Sequence, residues 1–332
     1  MSVLVSICIP IFNVESFIGR CARSLFEQSY GNLEFIFIND CTPDNSIAIL
    51  KRVIDDYPER KPHVRIINHN ENKGLAAARN TGVSECSGDF VLHVDSDDYI
   101  DRETVSLLVG EQEKGDYDIV SSDLLDHYEF YTETDNQPKY KSSKDMTVKL
   151  LDKSARGCVV ARLIRRSLYI DNEVRAIEGL NLGEDSLVIP QLAYFAKKVS
   201  NVSSPLYHYV RINENSYTSS FSEFTAEQTW HVYEELESIF EKRGVVYMNA
   251  ICRAKVRLLV GNVISCIRLG GPRSYCEILL KRLKLYKSEY NVLPLPYRVI
   301  CYTDNLFFLK IYISFSYLVR HFFLFVKDFF SK

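Results

Sequence analysis

The sequence predicts an α/β fold, a parallel sheet with helices on both faces, followed by a helical C-terminal region. Three observations carry this. Short runs rich in Val, Ile and Phe alternate with amphipathic helical patterns through the first hundred residues. The runs end in clusters of polar residues, and from Ser222 onward the pattern is almost wholly helical. Strand–helix alternation implies right-handed βαβ units, whose ligands collect beyond the carboxyl ends of the strands.

The first four strands are read at Val3–Phe12, Leu33–Asn39, Val64–Asn68 and Phe90–Val94, each short and apolar enough to be buried on both faces. Phe17, Cys21 and Leu25 recur at helical spacing in the first intervening segment, and Ile47, Leu50 and Ile54 in the second. The polar stretch from Tyr128 to Lys144 predicts a long loop or hairpin over one edge. Helical patterning resumes near Met146, and Leu182–Ser220 forms a second distinctive block. Gly270-Gly271-Pro272 and Pro294-Leu295-Pro296 break the helical remainder. The expected division is a first domain over residues 1–220 and a helical region over 221–332.

The chain has 332 residues, 46% hydrophobic and 25% charged, enough for one large domain or two modest ones. A net charge of -3 argues against a nucleic-acid partner. The charge is uneven: from Val245 to Lys332 there are 14 Lys/Arg against 4 Asp/Glu, a basic tail on an acidic body. The nine cysteines are scattered singly and odd in number, without a CxxC pair, which reads as reduced cysteine in a cytoplasm. Met1–Phe12 is apolar but lacks the basic region and cleavage site of a signal peptide.

The strand ends carry the chemistry. Strand one runs into Pro10-Ile11-Phe12-Asn13-Val14-Glu15, where an aromatic followed by Asn and Glu can stack on a base and bond a ribose; core packing for Phe12 and helix capping for Asn13 are the structural alternatives. Strand two ends at Asn39-Asp40, and Asp40 can accept the imide N–H of a uracil or simply turn the chain, while Asp44 or Asn45 caps the next helix. After strand three, Gly74 permits a tight helix entry, and Arg79 can pair with phosphate or hold an acidic neighbour. Strand four ends in Asp95-Ser96-Asp97-Asp98, three carboxylates in four residues that call for a compensating cation. Hard divalent metals suit them, with a diphosphate completing the shell. Gly183-Glu184-Asp185 opens a later helix, whose dipole would hold both acids near the cleft. His208 can complete a metal shell or be a satisfied core histidine, and Arg211 adds a cation beside Tyr209.

Taken in order, VSICIPIFNVE, FIFINDCTPDNS, NKGLAAARNTG, GDFVLHVDSDD, GEDS and YHYVRINENS resemble the family 2 glycosyltransferases over Val5 to Ser216. The resemblance implies the GT-A fold, a Rossmann-like mixed sheet flanked by helices, and an inverting enzyme using Mn2+ or Mg2+. It implies a nucleotide-diphospho-sugar donor, expected to be a UDP-sugar, and a glycan or lipid-linked acceptor in cell-surface polysaccharide synthesis. On that pattern Asp40 reads the base, Asp95 and Asp97 form the DxD motif with Asp97 on the metal, and Asp185 is the catalytic base. Pro10, Phe12, Asn13, Glu15, Gly74, Arg79, Ser96 and Arg211 line the nucleotide-sugar site. This chain departs from the pattern at Phe12, where Tyr is frequent, at Asn39 in place of a common Asp, and at His208 in place of an aromatic. The tryptophan often found before the acceptor lobe is absent around Gly157–Leu163. The alternatives are an inactive nucleotide-sugar-binding protein, against which Asp97 and Asp185 argue, and a dehydrogenase, which the missing GxGxxG disfavours.

Phe307–Phe330 is dense in aromatic and aliphatic residues interspersed with Lys and Arg. Its uncharged stretches are too short to span a bilayer, which needs ~20 apolar residues. It fits an interfacial helix on the inner face of the cell membrane, or a helix packed on the protein.

Overall fold

The computed structural model describes residues 2–212 and 222–315. The chain divides into two compact units, Met1–Ser219 and Ser220–Lys332.

The first unit is built on one sheet. Its strands are β1 (Val5–Ile11), β2 (Leu33–Asn39), β3 (Val64–Asn68), β4 (Phe90–His93), β5 (Tyr99–Ile100), β6 (Ile119–His127), β7 (Thr132–Asp135), β8 (Arg162–Arg165) and β9 (Val199–Val210). The helices are α1 (Ile18–Phe26), α2 (Ser46–Asp55), α3 (Leu75–Glu85), α4 (Thr104–Gly115), α5 (Ser143–Leu151), α6 (Arg166–Ile170) and α7 (Glu184–Phe195). Strand order is β3-β2-β1-β4-β8-β6-β9-β5, with β7 paired to β6. The first four strands are parallel, as the alternation of apolar runs with helices predicts. Beyond β4 the sheet becomes mixed: β8 is antiparallel to both β4 and β6, and β5 to β9. The polar segment after Tyr128 carries the short strand β7, which closes a hairpin on β6.

Alternation along the strands sorts two cores. Ile7, Ile9 and Ile11 of β1 and Phe35 and Phe37 of β2 pack with Ile18, Leu25, Leu50 and Leu108 from α1, α2 and α4. Cys8, Ile36 and Ile38 point to the other face, against Ala76 and Ala78 of α3, Met146 of α5 and Ile189 of α7. Both faces of β1, β2 and β4 are therefore covered, and the polar residues Ser6 and Glu34 near their starts bond one another, whereas β3 at the sheet edge is only partly buried and carries the exposed Arg65. Helix α3 lies close to the sheet because Gly82 allows it: a Cβ there would stand 3.1 Å from Ile38 and 3.2 Å from Cys8. Parallel β1, β2 and β4 place Phe12, Asp40 and Asp95 along one sheet edge.

The second unit contains α8 (Glu223–Phe240), α9 (Val245–Arg268), α10 (Arg273–Leu283) and α11 (Leu295–Cys301). Ser222 and Thr225 close a capping box at the start of α8. The Gly270-Gly271-Pro272 break falls between α9 and α10, and Pro294-Leu295-Pro296 begins α11, with Pro294 as its N-cap. No helix among the described residues is long and apolar enough to cross a membrane. Residues 306–315 are helical, and the rest of the aromatic tail, from residue 316, lies outside the described residues.

Candidate active site

A cavity of about 510 Å³ opens along the sheet edge that carries the strand ends. Of the residues expected there, Pro10, Phe12, Asn13, Asp40, Gly74, Arg79, Asp95, Ser96, Asp97 and Asp185 line it. Phe12 is 44% exposed, so it is not a core residue. Asn13 is not the helix cap either; α1 is capped by Phe17, and Asn13 sits at φ 56 with its N–H on Thr42 Oγ1.

Asp40 is buried and already busy. Its Oδ1 accepts from His69 Nδ1 at 2.6 Å and from the Lys73 N–H at 2.9 Å, and its Oδ2 accepts from the Gly74 N–H at 2.8 Å. A carboxylate has about four acceptor positions, so about one remains. The same bonds mean that the anion at the start of α3 is Asp40 itself. Gly74 caps α3 at φ 86, and a Cβ there would stand 2.3 Å from the Asn181 amide. That amide accepts the Ala76 N–H, fixing the α3 entry against the loop before α7.

Arg79 is the centre of charge. It is buried on α3, and its guanidinium reaches Asp95 at 2.9 Å, Glu184 at 3.1 Å and Asp185 at 3.3 Å. Of the two roles open to it from sequence, it holds acidic neighbours. One cation faces three carboxylates, and the two deepest of them, Glu184 and Asp185, resist ionisation. Burial and then the charge of Asp185 push Glu184 up to about 8. Burial also raises Asp185, helped by Asp95 and opposed by Arg79. Both acids occupy the first turn of α7, whose positive end offsets part of this cost.

In the aspartate cluster the roles divide. Asp98 is buried and structural: it accepts from Tyr207 Oη and from the Val210 N–H, each at 2.7 Å. Burial, with Asp97 and Asp95 adjacent, holds its pKa well above the usual carboxylate range. Arg20 donates to the Asp97 carbonyl at 3.0 Å and so fixes the turn. Asp95 and Asp97 are the two that border the cavity.

Three expected residues are not brought to the cavity. Glu15 accepts from the Asn45 N–H at 3.0 Å and ties the first loop to the second. His208 bonds Asp101 at 2.9 Å and His127 at 2.8 Å and stacks on Tyr99 at 4.2 Å. Arg211 bonds Asp126 at 3.1 Å. Glu184 lines the cavity too, as its helix-start position beside Asp185 predicts, while Arg156, Tyr209 and Asn181 line it and were not assigned there from sequence. Tyr209 stands in the aromatic–cationic segment around His208 but was given no role, and Arg156 has no signal in its local spacing.

The chain matches the model of glycosyl transferase family 2 over residues 6–172, half its length. It is 28% identical over 293 residues to the uncharacterized glycosyltransferase EpsJ of Bacillus subtilis, covering 81% of this chain and 80% of that one. Among solved structures it is similar to S. aureus TarS 1-349 in complex with UDP-GlcNAc, with TM-score 0.62, 17% identity and 90% of each chain covered. It is also similar to the mannosyltransferase PcManGT of Pyrobaculum calidifontis in complex with GDP-Man and Mn2+, with TM-score 0.57, 15% identity and coverage of 96% and 88%. These two likenesses establish the GT-A fold.

Proposed function

Because the chain belongs to the family 2 glycosyltransferases, we propose that it transfers a sugar, with inversion, from a UDP-sugar to a hydroxyl of a glycan or lipid-linked glycan. The observation that carries this is the convergence of Phe12, Asp40, Asp97 and Asp185 on one cavity, around a buried arginine. Phe12 stacks on the base, and the remaining acceptor position of Asp40 takes the uracil imide N–H. The UDP-GlcNAc complex of TarS and the GDP-Man complex of PcManGT support a nucleotide-sugar donor.

A divalent cation fits the donor set. Such ions need only one or two protein carboxylates when phosphates supply further oxygens. Asp97 would hold it, with Asp95 shared between the ion and Arg79. No group of three or more His, Cys, Asp or Glu suited to a metal occurs among the described residues, and His208 lies elsewhere, so the shell would depend on the diphosphate. When bound, the ion offsets charge developing on the departing diphosphate. Asp185 takes the proton of the acceptor hydroxyl as that oxygen attacks the anomeric carbon. UDP leaves from the opposite face, and one displacement inverts the centre. Arg79 keeps Asp185 and Asp95 in place, and its charge favours the ionised base.

Titration calorimetry tests the site. UDP should bind strongly with Mn2+ and weakly with chelator, and Asp97→Ala should lose that dependence; undiminished metal-dependent binding in the variant rules the assignment out. The same reading puts the enzyme on the inner face of the membrane. The basic surplus after Val245 and the exposed Phe307, Ile311 and Phe315 support it. Sedimentation with anionic vesicles, lost on truncation before Asp304, is the expected result; a truncated protein that still sediments refutes it.

A further inference from the structure

The cavity wall continues outward as a strip of rings and guanidinium groups. Tyr209 and Arg156 border the cavity. The Arg156 guanidinium lies 4.4 Å from the Tyr209 ring centroid and that of Arg211 lies 4.8 Å from it. Arg211 also lies 5.6 Å from the Tyr128 ring, which stacks on Tyr131 at 4.5 Å and 16°. Tyr128 and Tyr131 are the ends of the turn joining β6 to β7, closed by the Tyr128 N–H on the Tyr131 carbonyl at 2.9 Å. Between them Phe130 is 87% exposed, and Tyr131 itself is 58% exposed. Scattered exposed apolar residues are ordinary. Three aromatics in one four-residue turn, joined to a catalytic cavity, are not scattered.

The strip carries no positive excess. Asp126 accepts from Arg156 at 3.0 Å and Arg211 at 3.1 Å, and Asp135 accepts from Arg156 at 3.1 Å. Two cations face these two carboxylates, and Glu129 adds a third within the turn, so no positive excess is left to attract phosphate. What remains is a set of planar apolar faces beside fixed donors and acceptors. A pyranose has that complement, with an apolar C–H face and a rim of hydroxyls. Stacked rings also lose little freedom on binding, so contact there is not offset by ordering.

We propose that the strip from Tyr209 through Arg211 and Tyr128 to Phe130 and Tyr131 is a subsite for a neutral glycan, holding the acceptor chain beyond the sugar that receives the transfer. It rests on the transferase reading and adds where the acceptor lies and what its charge is. It further implies that chains are bound better than single sugars, because the turn stands outside the cavity.

The test uses the full-length protein, fluorescently labelled, on an array of immobilised oligosaccharides from one to six sugars, neutral and anionic, with UDP titrations in parallel. Neutral chains of three or more sugars should be captured, and single sugars at least ~10-fold less. Phe130→Ala and Tyr131→Ala should reduce capture ~10-fold or more, and Tyr131→Trp should retain it. The parallel UDP titration with Mn2+ should be unchanged in all three, showing that the exposed substitutions leave the fold intact. The subsite is refuted by capture of anionic chains alone, by no capture from a wild type that binds UDP, or by equal capture in the alanine variants. Glycan capture without any UDP binding would instead retain the strip and overturn the transferase reading.

Discussion

Replacing Asp185 by Asn separates catalysis from architecture. The substitution keeps the shape of the side chain and removes its ability to take a proton. Arg79 would keep Asp95 at 2.9 Å and Glu184 at 3.1 Å, so two of its three carboxyl contacts survive. The cluster loses one of three carboxylates competing for one cation, which relieves repulsion. Thermal stability should therefore hold or rise slightly. The chemical step should slow by roughly 10²–10⁴-fold, the usual contribution of a positioned base. That equals about 2.7–5.4 kcal/mol of barrier. UDP affinity with Mn2+ should change little, because Asp97 and Asp40 are untouched. The assay is turnover of a UDP-sugar with a competent acceptor, beside UDP calorimetry and a melting curve. Near-normal turnover would place the base elsewhere, with Glu184 the next candidate. Lost UDP binding together with a lowered melting temperature would make Asp185 structural, and the mechanism would fall.

Two further outcomes follow from the same geometry. Glu184 keeps its proton in the folded chain up to about 8, while an unfolded chain releases it near the ordinary value of 4.5. Unfolding then gains as pH rises, so stability should fall across that interval and level off above it. Melting curves from pH 5 to 9 should show this slope in the wild type and a flatter one in Glu184→Gln; an unchanged slope excludes Glu184 as its source. Asp40→Ala should weaken UDP binding by roughly 1.5–3 kcal/mol, the worth of a charged hydrogen bond, and should also lower the melting temperature, because the 72–74 turn loses two bonds. Equal wild-type affinity for CDP and UDP would refute the uracil contact.

Local sequence determined the parallel half of the sheet and most of the cavity. A strand buried on both faces must be mostly apolar, so β1, β2 and β4 stand out and their polar ends mark one edge; β3 was also found, but as the sheet's edge strand it is only partly buried. Phe12, Asp40, Asp95, Asp97 and Asp185 were legible because each sits at a strand end or helix start. The mixed half was not, because β6 and β9 mix Ser, Asp, His and Tyr into their runs and so lack that signature. Glu15, His208 and Arg211 looked equally functional from their types and neighbours. Only the packing of distant segments gave them to Asn45, to Asp101 and His127, and to Asp126. The charge centre was likewise decided in three dimensions. Spacing shows that residue 79 is an arginine at a helix start, but not that residues 95, 184 and 185 fold back around it. A buried guanidinium is tolerated only where carboxylates meet it, and those carboxylates arrive from segments about a hundred residues apart, through the tertiary fold.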